Sequence, residues 1–403
     1  MDLGPADALA RRMTSLLLRV PPSGPGASTG PDVPDRRYPT SAQYPTSVQH
    51  PTSVADVVTW FGAMQAQDLA SVVWSVGLRL PGSTATDVLD ALERREAVRT
   101  WPMRGTVHLV PARDARWMLE LMGGRALAGA AARRAHLGLS EQVADRAVEV
   151  LGTALAGGGR LSRSQCRQVL AEAGIIGGGV GDDAGGTGVL GYHLLWYASQ
   201  RGVTCIAPDA DGEQTVVLLD EWVPDPHRPE RDEALATVAR RYFTSHGPAA
   251  CEDFTRWTGL TAADARRGIA EAGLATVRVE GREMYGDPVL LEASLARPRP
   301  VDADEVLALP GFDEYLLGYK DRSLMLAAEH QQVIVPGGNG VFQPTIVRGG
   351  RVVATWKRSG SGRRTVVAVR PLVRLAAADR RRAEVALGRY GSFTSRPVEV
   401  RWP

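Results

Sequence analysis

Three times along the chain, a run of amphipathic helices gives way to two short strands joined by a tight turn. In the first instance "TATDVLDALERRE" (84–96) leads into "AVRTWPMRGTVHLV" (97–110). In "TVHLV", Val107 and Leu109 fall on one face, Thr106 and His108 on the other. In the second, helices over 141–155, 160–175 and 190–202 precede "VTCIAP" and "QTVVLL". In the third, three helices across 232–274 precede "ATVRVEGREMYG", with Gly281 in its turn. Paired helices followed by a hairpin make a winged helix, and three in tandem make an architecture.

Beyond residue 300 the pattern becomes mostly strand, in "QVIVPGGNGVFQPTIVRGGRVVATWKRS" and "RRTVVAVRPL", with Gly-Gly turns and one late helix at "AADRRRAEVALGRYG". The expected fold class is α+β: three tandem winged-helix units and a C-terminal antiparallel, β-rich or barrel element. The expected boundaries are 1–136, 137–231, 232–300 and 301–403. A Pro/Gly/Ser-rich insertion over 20–53 ends in the repeat YPTSAQ, YPTSVQ, HPTSV, which cannot bury a core.

At 403 residues with 44% hydrophobic and 23% charged content, the chain reads as globular and multidomain. "MTSLLLRV" is too short and too arginine-flanked for a membrane span or signal peptide. Cys166, Cys205 and Cys251 are far apart and lack CxxC spacing, so no zinc site or disulfide framework is expected and a reducing cytoplasm is the natural compartment. HxE…PCxxC, HExxH and GxSxG are absent, which removes zinc deaminase, zincin and α/β-hydrolase readings. "GTGVLG" (186–191) follows a glycine-rich stretch rather than a strand, so a dinucleotide site is not expected. No cofactor or metal is expected. Lys320 and Lys357 are the only lysines among 47 basic residues. Arginine suits phosphate recognition, and a net charge of +2 still permits a basic channel balanced by acid elsewhere.

One stretch stands apart. In "WFGAMQAQDLASVVWSV" (60–76), Gln65 and Gln67 sit where one helix ends and another begins. Residues i and i+2 share a side of an extended segment, so two neutral carboxamides would face one space. They form either a site or a tight connection in which the amides satisfy backbone groups. Asp68 reads as the cap of the next helix. In "VRTWPMRGTVHLV", Arg99 and Arg104 flank the turn; they could meet phosphates while Trp101 or Met103 wedges or stacks, or all four could be core and solvated edge. His108 shares a face with Thr106. "GFDEYLLGYKDRS" reads as strand and turn, with Asp313, Glu314 and Asp321 in an ion-pair network that holds the C-terminal element against the helical units. Lys320 and Arg322 within it are candidates for phosphate.

"GAMQAQD", "VRTWPMRGTVHLVPARD", "HGPAACEDFTRWTGL", "LPGFDEYLLGYKDRS" and "VIVPGGNGVFQPTIVRGGRVVATWKR" run in one order. Together they resemble the AlkZ/YcaQ-like tandem winged-helix DNA glycosylases, over residue 54 to the end plus the first helix. The resemblance implies a DNA channel walled by three winged units and a catalytic Gln-aliphatic-Gln motif, here Gln65-Ala66-Gln67, closer to the AlkZ double-glutamine type. It further implies a monofunctional, metal-free glycosylase for bulky alkylated purines, acting on duplex DNA as a monomer, in some members for self-resistance to an alkylating product. Gln67 would position the water and Gln65 would assist. DNA-binding candidates are Arg99, Trp101, Met103, Arg104, Thr106, His108, Lys320 and Arg322. The alternative is a winged-helix regulator or damage sensor that binds without cutting.

Overall fold

The computed structural model describes residues 2–19, 50–177, 186–296, 300–359 and 364–403. Nearly all of the 20–53 insertion lies outside the described residues, and so do residues 178–185 of the glycine-rich stretch.

Local signals set the helix starts. Ser53 with Asp56, Thr84 with Asp87 and Ser162 with Gln165 form reciprocal capping boxes on Val54–Phe61, Ala85–Glu93 and Arg163–Glu172. Gly62, at φ 73°, ends the first of these and redirects the chain into the short strand Met64–Gln65. A Cβ there would stand 3.1 Å from the Arg241 side chain, a tight contact, and the positive φ itself favours glycine.

Each of the three helical stretches is followed by a hairpin, as the sequence leads one to expect. The first pairs Ala97–Met103 with Thr106–Pro111, the second Thr204–Ala210 with Glu213–Leu218, the third Ala275–Val279 with Arg282–Gly286. The sequence pattern does not reveal how they combine. The first two meet edge to edge at Arg99 and Ile206, inside a six-stranded sheet bounded by Met64–Gln65 and Leu161–Ser162. The third stands apart and takes the N-terminal strand Asp2–Leu3 as a parallel partner.

The C-terminal region is an α+β layer rather than a closed barrel. Val306–Leu309, Thr345–Arg348, Arg351–Ser359 and Thr365–Pro371 are antiparallel neighbours, but Val398–Arg401 joins Thr365–Pro371 in parallel. A parallel neighbour needs a crossover, and the helix Ala377–Phe393 supplies it. Two strand expectations fail here. Gln331–Ile334 is a helical turn followed by glycines at φ 61°, 65° and 80° (Gly337, Gly338, Gly340), a left-handed run that cannot hold a ladder. Glu314–Leu317 is a helical turn capped by the Asp313 carboxylate, which accepts from the Tyr315 amide. One continuous apolar core, from Leu9 to Phe393, runs through all these layers, and a small second cluster lies under the third hairpin. Among the described residues no helix is long and apolar enough to cross a membrane.

Candidate active site

Met64–Gln65 adds to the edge of Thr106–Pro111, with Met64 opposite Leu109 and Gln65 opposite His108. Ala66 continues the pairing through its amide, 2.8 Å from the Val107 carbonyl. The motif is thus extended. The two glutamines then interlock with it. Gln65 Oε1 accepts from the Gln67 amide at 3.0 Å, and Gln67 Oε1 accepts from the Val107 amide at 3.3 Å. Gln65 is 7% exposed, whereas Gln67 opens to solvent. The backbone-satisfying role is therefore real for both oxygens, but it uses only part of each carboxamide. An sp² oxygen has a second lone pair, and neither Nε2 has a hydrogen bond within the described residues.

The strand behind the motif carries a polar row. Gln65, His108 and Thr100 are direct cross-strand neighbours and so share a face. His108 is fully buried, with Nδ1 2.8 Å from the Thr106 carbonyl and Nε2 3.1 Å from Arg104 Nη2. Nδ1 therefore donates and Nε2 accepts, which requires the neutral ring. Burial, and secondarily the charge of Arg104, push its pKa down to about 3. Arg104 occupies the hairpin turn at φ 56°, ahead of Gly105 at 71°. This is the two-residue type I′ geometry that favours Asn-Gly, so an arginine there costs conformational energy offset by its bond to His108. Arg99 is buried under the motif and reaches the Ala66 carbonyl at 3.4 Å and Asp209 at 3.5 Å. Burial lowers its pKa, opposed by the Asp209 and Asp68 carboxylates.

Trp101 and Met103, offered as a wedge, are 2% and 0% exposed and belong to the core. Their strand lies inside the six-stranded sheet with both faces covered, so they are not placed to meet a base. Thr106 is half-buried at the strand start and serves His108 through its carbonyl. Lys320 and Arg322 line a cleft beside Phe342 whose lining includes neither Gln65 nor Gln67. Asp68 occupies the N-cap position of Leu69–Arg79, but its side chain caps no backbone amide. It accepts from Ser71 Oγ at 2.5 Å and pairs with Arg358 at 3.3 Å, a contact from the C-terminal sheet to the motif.

Asp313 is ion-paired, as the network reading expects, whereas Glu314 is held by hydrogen bonds. Asp313 receives both Nη atoms of buried Arg79, at 2.8 and 2.9 Å. Burial would raise its pKa, yet the guanidinium and its hydrogen bonds hold it below the usual carboxylate value. Glu314 is fully buried and ties three elements together. Its Oε1 accepts from the Gln65 amide at 3.0 Å, while Oε2 takes Trp257 Nε1 at 2.9 Å and lies 3.3 Å from His246 Nε2. Arg79, His246 and Trp257 were missed as supports, because each is hundreds of residues from, or on a different helix than, the group it holds. Among the described residues, no three or more His, Cys, Asp or Glu side chains are grouped to hold a metal.

The family "DNA glycosylase AlkZ-like" matches residues 58–393, and the chain belongs to that family. It is 30% identical, over 315 residues, to an interstrand DNA cross-link repair glycosylase of Streptomyces sahachiroi, spanning 75% of this chain and 81% of the relative. The solved structure of Streptomyces sahachiroi DNA glycosylase AlkZ matches over 100% of both chains, with TM-score 0.72 and 25% identity.

Proposed function

We propose that the chain is a monofunctional DNA glycosylase that hydrolyses the N-glycosidic bond of bulky purines made cationic by alkylation at N7 or N3, in duplex DNA. The observation that carries this reading is the exposed Gln67 carboxamide, fixed by the Val107 amide and steadied by Gln65 from beneath. A cationic purine departs as a neutral base, so the lesion removes much of the barrier and the protein need only position the attacking water and polarise modestly. The free lone pair on Gln67 Oε1 accepts from a water and aims it at C1′. Gln65, more deeply set, acts as the positioning partner. An uncharged pair leaves undamaged DNA alone, because an ordinary purine needs an acid to leave. Lysine is absent from the motif, so a Schiff-base lyase step is not expected.

Residues 1–136, 137–231 and 232–300 form three winged-helix units, and 301–403 forms the β-rich C-terminal unit. The three winged-helix units wall a DNA channel. The relative's cross-link activity favours a bulky lesion, and the protein works as a cytoplasmic monomer, in self-resistance where the lesion is the producer's own.

The test incubates purified protein with duplex carrying N7-alkylguanine and then treats with alkali to reveal abasic sites. Strand breaks that vanish in Gln65→Ala/Gln67→Ala support the enzyme. Binding without abasic product, or sequence-specific footprints on undamaged DNA, would instead make the chain a regulator.

A further inference from the structure

A cleft of about 300 Å³ lies between the helix Cys251–Thr258 and the C-terminal region, lined by Arg256, Lys320, Arg322, Gln331, Gln332 and Phe342 among others. Its most telling member is Arg322. That side chain is only 7% exposed, with Nε bonded to the Leu316 carbonyl at 2.7 Å and the guanidinium 4.9 Å over the Phe342 ring. Its Nη2 is buried without any partner. A buried guanidinium normally meets a carboxylate, but the carboxylates nearby are committed elsewhere. Asp253 Oδ1 takes the Lys320 and Asp321 amides and Oδ2 the Ala250 amide. Asp321 takes Arg282 and the Ser323 amide. Within the described residues no ion pair reaches Arg256, Lys320 or Arg322.

Three cations thus converge on one cleft with no anion among them. Burial, and next the neighbouring Arg256, lower the pKa of Arg322 to about 10, opposed in part by the Asp253 and Asp321 carboxylates. Two exposed amide side chains, Gln331 and Gln332, complete the rim with neutral donors. A planar guanidinium, an ammonium and amide donors around an open cleft match the oxygens of a phosphate.

The cleft is also tied to the glutamine motif. Leu316, which fixes Arg322, follows Glu314 in the same helical turn, and Glu314 holds the Gln65 amide. On the other wall, the charge of Arg256 acts on Arg104, the partner of His108.

We infer that this cleft is a phosphodiester seat that clamps one backbone phosphate of the DNA through Arg256, Lys320 and Arg322, fixing where a strand comes to rest relative to Gln67. The inference rests on the glycosylase reading for its choice of DNA, but the clamp itself is read from binding and not from excision.

Counterion release counts phosphates neutralised, at a slope of about 0.9 per contact in log K against log salt. Three cations on one phosphate therefore have a signature. On undamaged duplex, Arg256→Glu/Lys320→Glu, whose two carboxylates turn the phosphate away from the remaining Arg322, lowers the slope by about 0.9 in total, not by that amount for each residue. Both residues are exposed, so the variant is expected to fold; thermal unfolding verifies this. An unchanged slope in the folded double variant overturns the seat. So does an unchanged slope accompanied by protection of the wild type, but not the variant, by inorganic phosphate against thermal unfolding; the cleft then takes a free anion and not the strand. If instead the slope falls while Gln65→Ala/Gln67→Ala still excises the cationic base, the glutamine mechanism fails and the phosphate seat stands.

Discussion

The first and third hairpins share a plan and differ in setting. Ala97–Met103 is buried at every position, whereas Ala275–Val279 alternates between buried Val277 and Val279 and exposed Thr276 and Arg278. Both have two-residue turns with positive φ, Arg104-Gly105 in one and Glu280-Gly281 in the other. The third hairpin obeys the one-face rule of an antiparallel pair and leaves no buried polar atom stranded among the described residues. The first buries Arg99 Nε, Thr100 Oγ1, Trp101 Nε1 and Arg104 Nε without partners. Native interiors tolerate few such atoms. Four on one hairpin, behind the glutamine strand, mark where stability has been subordinated to the site.

The contrast is broken most severely at the motif that the first hairpin carries. Gln67→Ala is expected to slow excision of an N7-alkylguanine by roughly 10²–10³-fold, the usual loss for one preorganised polar group, measured by single-turnover release of the base. Next comes the core. Trp101→Ala should cost about 3–5 kcal/mol by urea unfolding; a cost near zero would place that side chain on the surface and restore its role as a wedge. His108 sharpens the comparison through pH. Its ordinary value of 6.5 falls to about 3 in the folded chain. Between those limits the unfolded state binds the proton and the folded state does not, so stability falls as pH drops from 6.5 toward 3. The slope approaches about 1.4 kcal/mol per pH unit. His108→Gln should flatten that part of the stability profile in chemical denaturation. The smallest effect belongs to the third hairpin, where Arg278→Ala should change stability by no more than about 0.5 kcal/mol.

The same contrast explains what could be read in advance. "ATVRVEGREMYG" shows its exposure directly, because alternation with one wet face is a local property. "AVRTWPMRG" does not: its arginines and tryptophan suit a probing edge until Thr204–Ala210 pairs beside it, and nothing in either segment encodes that neighbour. The junction between two helices was legible at Gln65 and Gln67; its extended course is set by pairing with Thr106–Pro111, which the segment itself does not encode. The division between exposed Gln67 and buried Gln65 was not, since it depends on Glu314 and Val107. Asp68 was placed correctly at a helix start, yet Ser71 and Arg358 compete for its carboxylate and win it from the backbone. The missed turns at 314–317 and 331–334 lie where apolar runs are too short for periodicity to separate strand from helix.

Glu314 grips the Gln65 amide across 249 residues of chain. A growing polypeptide therefore carries the glutamines long before it can lock them into shape. While residue 314 is still inside the ribosome, the tripeptide lacks one of its anchors.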